Sequence, residues 1–219
     1  KYKLTLLSRN IDEIKYFLNR LKINITEIEF ICMDLKETDK FQLYYENLKT
    51  KHDIVISAIG ELSKNMDSQK LNLIDDMINS NYIYPAKCLD VISNIFLREN
   101  SSKEKIILGI SSVAGDRGRA TNFYYGAAKS AFTVFLSGLR QKLSNSKIVV
   151  ITISLGFVDT KMTKKEKIPN LLNTKPEIIA KKIIECIEKK KLIYVPIKWK
   201  IIMIIVKLIP EGIFKKLNF

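Results

Sequence analysis

The chain has one histidine, His52, in 219 residues. A multi-histidine metal centre is therefore excluded, and the position of His52 just before the apolar run DIVISAIG points to a structural role for its ring. Cysteine is scarce too. Cys32, Cys88 and Cys186 are far apart, odd in number and without Cys-x-x-Cys spacing. That pattern excludes a disulfide framework and reads as buried apolar residues in a reducing, cytoplasmic compartment. Glycine is missing from the first fifty-nine residues, and all eight glycines lie at Gly60 or later. A doubly wound nucleotide-binding sheet ordinarily opens with a strand, a glycine-rich turn and a helix whose N-terminus holds a pyrophosphate. Here the chain begins on what reads as the second strand, so that first strand–phosphate loop–helix unit is expected to be lacking. No secretory signal is visible, and the first residue is Lys1, not Met.

Acidic charge is also in deficit. The net charge is +14, of which +10 falls between Lys161 and Phe219. Lys, Ile and Asn are abundant throughout, as genome base composition alone would produce, and no aromatic-interleaved basic patch is present. No nucleic-acid partner is expected. The length and the 47% hydrophobic content suit one domain with a sizeable core.

Short strand-like runs alternate with amphipathic helices, the pattern of a parallel sheet covered on both faces. Strands are expected at YKLTLLS, ITEIEFICM, DIVISAIG, KIILGISS, SKIVVITIS and KLIYVP. Helices are expected at Asp12 to Leu21, Asp39 to Leu48, Gln69 to Leu97, Asn122 to Leu143, Pro176 to Lys189 and Trp199 to Ile209. Asn122 before Phe123 and Pro176 in a first turn are helix-start signals. The α/β body spans residues 1–196, and an apolar, basic helical tail spans 197–219.

The chemistry concentrates between Ser111 and Lys129, SSVAGDRGRATNFYYGAAK. Ser112 stands thirteen residues before Tyr125, and Lys129 four residues after it. The four-residue step puts phenol and ammonium on one helix face, where the cation should draw the phenol pKa down from about 10. Such a phenol exchanges a proton with a carbonyl or alcohol oxygen, and the Ser112 hydroxyl can hydrogen-bond the same oxygen. Tyr45 with Lys49 and Tyr194 with Lys198 repeat the spacing, but Cys32 and Lys181 occupy the serine position there.

With Ser112, Tyr125 and Lys129 on a βαβ chain, the sequence resembles the short-chain dehydrogenase/reductase family over nearly its whole length. The resemblance implies a Rossmann-like fold and hydride transfer between NAD(P) and a carbonyl or alcohol. It implies that Ser112 polarises the substrate oxygen, that Tyr125 donates the proton, and that Lys129 also hydrogen-bonds the nicotinamide ribose. Asn81, in NSNYIYPA, matches the family's helix asparagine that supports a proton-relay water. Arg9, where LLSRN offers no acidic residue at the strand end, favours the 2′-phosphate of NADP over NAD. Asp34 matches the adenine-contacting aspartate. Ala58 and Gly60 lie in SAIG where the family has Asn-Asn-Ala-Gly. Leu155 replaces the family's proline before Gly156, while Val158 and Thr160 keep their places beside the nicotinamide and diphosphate.

Within that family, AGDRGRATNFYYGAAK and the ending VPIKWKIIMIIVKLIPEGIFKKL are similar to the reductase component of decaprenyl-phosphoryl-ribose 2′-epimerase. This likeness implies a polyprenyl-phosphate-linked keto-pentose as substrate. Arg117 and Arg119 would then meet a substrate phosphate or stand as solvated loop charges. Ile197 to Ile209 falls short of the ~20 residues needed to span a bilayer. Its lysines suit an interfacial helix at the inner face of an anionic membrane. A helix docked on the sheet or on a second subunit is the other placement. Alternatives for the whole chain are a reductase of 3-oxoacyl chains or small ketones, and a catalytically idle NADP-binding interaction subunit. A homo-oligomer is expected by analogy only.

Overall fold

Alternation of side chains along the central strands sets the architecture. In the computed structural model, which describes residues 2–62, 72–99, 101–160, 162–163, 172–190 and 193–217, β4 (Lys105–Ser112) and β5 (Ile148–Leu155) pair in parallel from Lys105↔Ile148 to Ser112↔Leu155. Ile106, Leu108, Ile151 and Ile153 point to one face and pack with Ile179 and Cys186 of α6 (Pro176–Lys189). The opposite face receives α5 (Phe123–Lys142), whose Leu136 and Phe132 lie directly over Gly109. Apolar side chains on both faces of the same strands are what a sheet covered by helices on each side requires.

The chain divides into two compact units, Lys1–Lys49 and Thr50–Phe219. In the first, β1 (Leu4–Ser8) pairs in parallel with β2 (Ile28–Cys32), and α1 (Ile11–Arg20) and α2 (Thr38–Asn47) follow the two strands. Asn10 caps α1 by accepting the Glu13 N–H at 3.1 Å. In the second, β3 (Ile54–Ser57), β4, β5 and β6 (Ile193–Val195) form an all-parallel sheet in that order. The doubly wound, Rossmann-like α/β class is therefore observed. β4 coincides with KIILGISS, whereas β1, β2 and β3 are shorter than expected, and Ala58 to Gly60 lies beyond β3. Gln69 to Leu71 and the opening Lys191 and Leu192 of KLIYVP lie outside the described residues.

The helix expected from Gln69 to Leu97 is not one α-helix. It runs as α3 (Leu73–Ile78), a π-helical turn (Asn79–Ile83) and α4 (Tyr84–Glu99). Pro85 has no N–H to give the Asn81 carbonyl, so the ladder shifts register, and the Tyr84 N–H reaches Asn79. Cys88 and Cys186 are buried, but Cys32 is exposed, which corrects the expectation for it. It closes β2, and its thiol reaches the Arg9 carbonyl at 3.5 Å.

The tail forms α7 (Lys198–Leu208) and a short α8 (Glu211–Phe214). Among the described residues no helix is long and apolar enough to cross a membrane.

Candidate active site

The parallel strands β3, β4 and β5 bring their C-terminal ends together, the edge at which open α/β sheets place their ligand sites. Ser112 ends β4 in extended conformation, and its Oγ accepts the Ala114 N–H at 3.2 Å. A 3₁₀ turn, Val113–Gly115, then folds against α5. The approach is close. A Cβ on Gly126 would stand 2.8 Å from the Ala114 carbonyl oxygen, so the strand end and the tyrosine-bearing helix meet only because residue 126 has no side chain.

This packing brings the Ser112 hydroxyl to the Tyr125 phenol, where it favours the charged form of the ring oxygen. Lys129, one turn further along α5, is buried, with its Nζ 5.9 Å from the Tyr125 ring centroid. That ammonium donates to the carbonyls of Ile59 and Ile110, each at 3.2 Å. Ser111 anchors the same turn by bonding the Lys129 carbonyl at 3.1 Å and Thr133 Oγ1 at 2.6 Å.

The electrostatics differ from the expectation that Lys129 draws the Tyr125 pKa down. Burial raises the Tyr125 pKa, and the opposing influences are the Ser112 hydrogen bond and the Arg119 charge. Burial also lowers the Lys129 ammonium to about 8. Desolvation prevails because both groups are buried, and burial penalises the charged form of each. The phenol is thereby kept in its protonated, proton-giving form.

Asn81 is fully buried in the π-helical turn. Its Oδ1 accepts the Glu61 N–H at 3.1 Å, and its Nδ2 donates to the Glu61 carbonyl at 2.8 Å and the Met77 carbonyl at 3.1 Å. The loop after β3 is thus held between Asn81 and Lys129. A Cβ on Gly60 would lie 2.8 Å from Asn81 Oδ1 and 3.1 Å from Lys129 Nζ. Ser57, at the end of β3, keeps a buried hydroxyl with no hydrogen-bond partner among the described residues. The close approach of the side-chain-free Gly60 to Asn81 and the Lys129 ammonium, with the orphaned Ser57 hydroxyl at the end of the same strand, fits a polar cofactor arm entering over Ala58, which is exposed.

Val158 packs its side chain against the core below β5 and β6. Thr160 is exposed, and its backbone N–H donates to Thr163 Oγ1 at 3.2 Å. Arg9 and Asp34 belong to the first unit, where Asp34 Oδ1 accepts the Lys36 N–H at 3.0 Å. Ser112, Tyr125, Lys129, Asn81 and Gly60 come together in the second unit; Val158 and Thr160 stand at the end of β5.

Arg117 is corrected. It is not a free loop charge, because its Nη1 donates to the carbonyls of Val206 and Ile209 at 2.5 and 2.6 Å. Its Nη2 bonds Glu211 at 2.9 Å, and its guanidinium stacks 3.7 Å over Phe214. The last carbonyls of α7 need donors, and Arg117 supplies them. Glu61 and the Ile59 and Ile110 carbonyls escaped sequence reading because backbone acceptors leave no side-chain signature. The proximity of Arg119 to Tyr125 could have been sought from its place in the loop between Ser112 and α5.

Comparison with known proteins extends these observations. The family model described as short chain dehydrogenase matches residues 1–170. An uncharacterized oxidoreductase of Staphylococcus epidermidis is 31% identical over 113 residues, covering 51% of this chain and 48% of the relative. The 3-oxoacyl-acyl-carrier-protein reductase FabG of Chlamydia trachomatis is 23% identical over 142 residues, covering 63% of this chain and 56% of the relative. These alignments span about half the length of each relative. Among solved structures, a short chain dehydrogenase from Burkholderia cenocepacia in complex with NADP superposes with a TM-score of 0.77 at 12% identity, covering 99% of this chain and 97% of that one.

Proposed function

As the chain belongs to the short-chain dehydrogenase family, we propose that it is an NADPH-dependent oxidoreductase that reduces a keto group to an alcohol. The observation that carries this reading is the packing of the Ser112 strand end against the Tyr125 turn of α5, with the buried Lys129 ammonium 5.9 Å from the Tyr125 ring. When bound, NADPH supplies the hydride that the carbonyl carbon accepts. Ser112 donates a hydrogen bond to the carbonyl oxygen and fixes its position. Tyr125 passes its phenolic proton to that oxygen as negative charge develops there. Ser112 and Arg119, which favour the charged phenol, then steady the phenolate left behind, and a solvent proton restores the phenol. The protonated state that burial imposes on Tyr125 suits the reducing direction.

NADP is favoured over NAD because Arg9 stands where an acidic residue would select NAD, and the Burkholderia cenocepacia neighbour binds NADP. Arg9, Asp34, Ala58, Gly60, Val158 and Thr160 would hold the cofactor, with Lys129 reaching the nicotinamide ribose. For the substrate we infer a sugar, or a polyprenyl-phosphate-linked keto-pentose, whose phosphate Arg119 would meet. A lipid-linked substrate gives membrane contact by the tail a purpose. The Chlamydia trachomatis relative favours a second reading, a 3-oxoacyl substrate.

The test is turnover of NADPH deuterated at the transferable position against keto-sugars, 3-oxoacyl esters and small ketones. Deuterium at the former carbonyl carbon of one product class supports the reading and names the substrate. No transfer to any carbonyl contradicts it.

A further inference from the structure

The tail helix α7 has two apolar faces, and among the described residues only one of them is packed. Trp199 and Met203 are buried with Val113, and Ile202 and Val206 pack against that group beside Phe157 and Tyr194. On the opposite side Ile197, Ile201, Ile204, Ile205 and Leu208 recur at helical spacing and are 63%, 63%, 50%, 59% and 76% exposed. By the same spacing Lys200 and Lys207 fall on one boundary between the two faces and Lys198 on the other. A soluble surface helix carries charge opposite its buried stripe; here the solvent side is apolar and the charge is confined to the flanks.

The charge of the segment is one-sided as well. From Ile197 to Leu217 there is a single acidic residue, Glu211, and it is bonded to Arg117 at 2.9 Å. Lys207 is tied to Asp116 at 3.4 Å. Among the described residues Lys200, Lys215 and Lys216 have no ion-pair partner. A helix with an exposed aliphatic face, lysines at its margins and no free carboxylate is complementary to a lipid surface that is apolar inside and anionic at its headgroups. The lysine stems can lie along the aliphatic face while their ammonium ends stay at headgroup level. A second copy of the chain is a poorer match, since like margins would bring lysines of one sign together.

We propose that the exposed face of α7 is a membrane-interfacial docking surface for anionic lipid. The helix lies in the surface without crossing it. Docking would be oriented, because the same helix is clasped from its buried side. Arg117 holds its last carbonyls, Asp116 holds Lys207 and bonds Tyr194 at 2.8 Å, and both residues sit in the loop that leaves Ser112. The inference deepens the tail component of the proposed function and stands apart from the redox chemistry.

Co-sedimentation of the full-length protein with vesicles tests it. Binding is expected to phosphatidylcholine–phosphatidylglycerol vesicles and to weaken sharply on pure phosphatidylcholine. It should also weaken from ~0.1 to ~1 M salt, as the screening length drops from ~10 to ~3 Å. Replacing Ile201, Ile205 and Leu208 together by serine should lower the partition coefficient by about tenfold or more. Lys200→Glu should lower it by more than the roughly fivefold that one lysine contributes. Unchanged Trp199 fluorescence will show that the variants remain docked and folded. Turnover of a water-soluble ketone without vesicles should be the same in the triple variant as in the wild type, which separates failure of docking from failure of the reductase reading. Absence of vesicle binding, equal binding by the triple variant, or a solution dimer that the same substitutions dissociate would each overturn the proposal.

Discussion

Asn81 and Glu61 exchange two hydrogen bonds, the amide oxygen accepting the Glu61 N–H at 3.1 Å and the amide nitrogen donating to the Glu61 carbonyl at 2.8 Å. One buried side chain thus satisfies both backbone groups of a loop residue that follows Ile59, the carbonyl partner of Lys129. Asn81→Ala removes donor and acceptor at once and takes this partner from the Glu61 N–H and carbonyl and from the buried Met77 carbonyl. The expected cost is about 2–3 kcal/mol, read as a lower midpoint in urea denaturation. Asn81→Asp should fail to restore stability, since it cannot donate to the Glu61 and Met77 carbonyls.

Lys129 predicts a pH dependence of folding. Burial lowers its pKa from 10.5 to about 8, so between these values the unfolded chain binds a proton that the folded chain does not. The stability contribution of this residue therefore rises as pH increases from about 8 to 10.5, by about 3 kcal/mol at most. Lys129→Met should be flatter than the wild type over that window when stability is measured by denaturant titration.

Gly156 has no room for a side chain. A Cβ there would come 1.8 Å from Trp199 Nε1 and 2.2 Å from Cδ1. Gly156→Ala should destabilise the chain by about 1–3 kcal/mol through overpacking. Because Trp199 is the one tryptophan of the sequence, a red-shifted emission should accompany the loss as the tail lifts away.

Arg117→Leu should have the same optical signature by another route. The substitution strips the donors from the end of α7 and the partner from Glu211. Tryptic cleavage within the tail is expected to accelerate by about tenfold, in keeping with lower local stability. Equal cleavage rates would show that the clasp contributes nothing.

The sheet, its parallel sense and the serine–tyrosine–lysine cluster were legible because each rests on periodicity or fixed spacing. The two-residue alternation of β4 and β5 dictates two covered faces, and the four-residue step dictates that Tyr125 and Lys129 share one side of α5. What escaped prediction depends on contacts between segments distant in sequence. Arg117 reads as a loop charge until α7 places its carbonyl ends against it, some ninety residues on. The direction of the Tyr125 shift needs the burial of the phenol, which spacing cannot reveal. The π-helical turn at Asn81 had a local signal in Pro85, but an uninterrupted apolar pattern masked it.

The most direct measurement is ketone-dependent NADPH oxidation by the Tyr125→Phe variant of the full-length protein, with cofactor affinity determined in parallel. The substitution removes one hydroxyl and keeps the ring. The account predicts a fall in turnover of about 10²–10⁴-fold with NADPH binding essentially unchanged. Turnover retained at the wild-type level would contradict it.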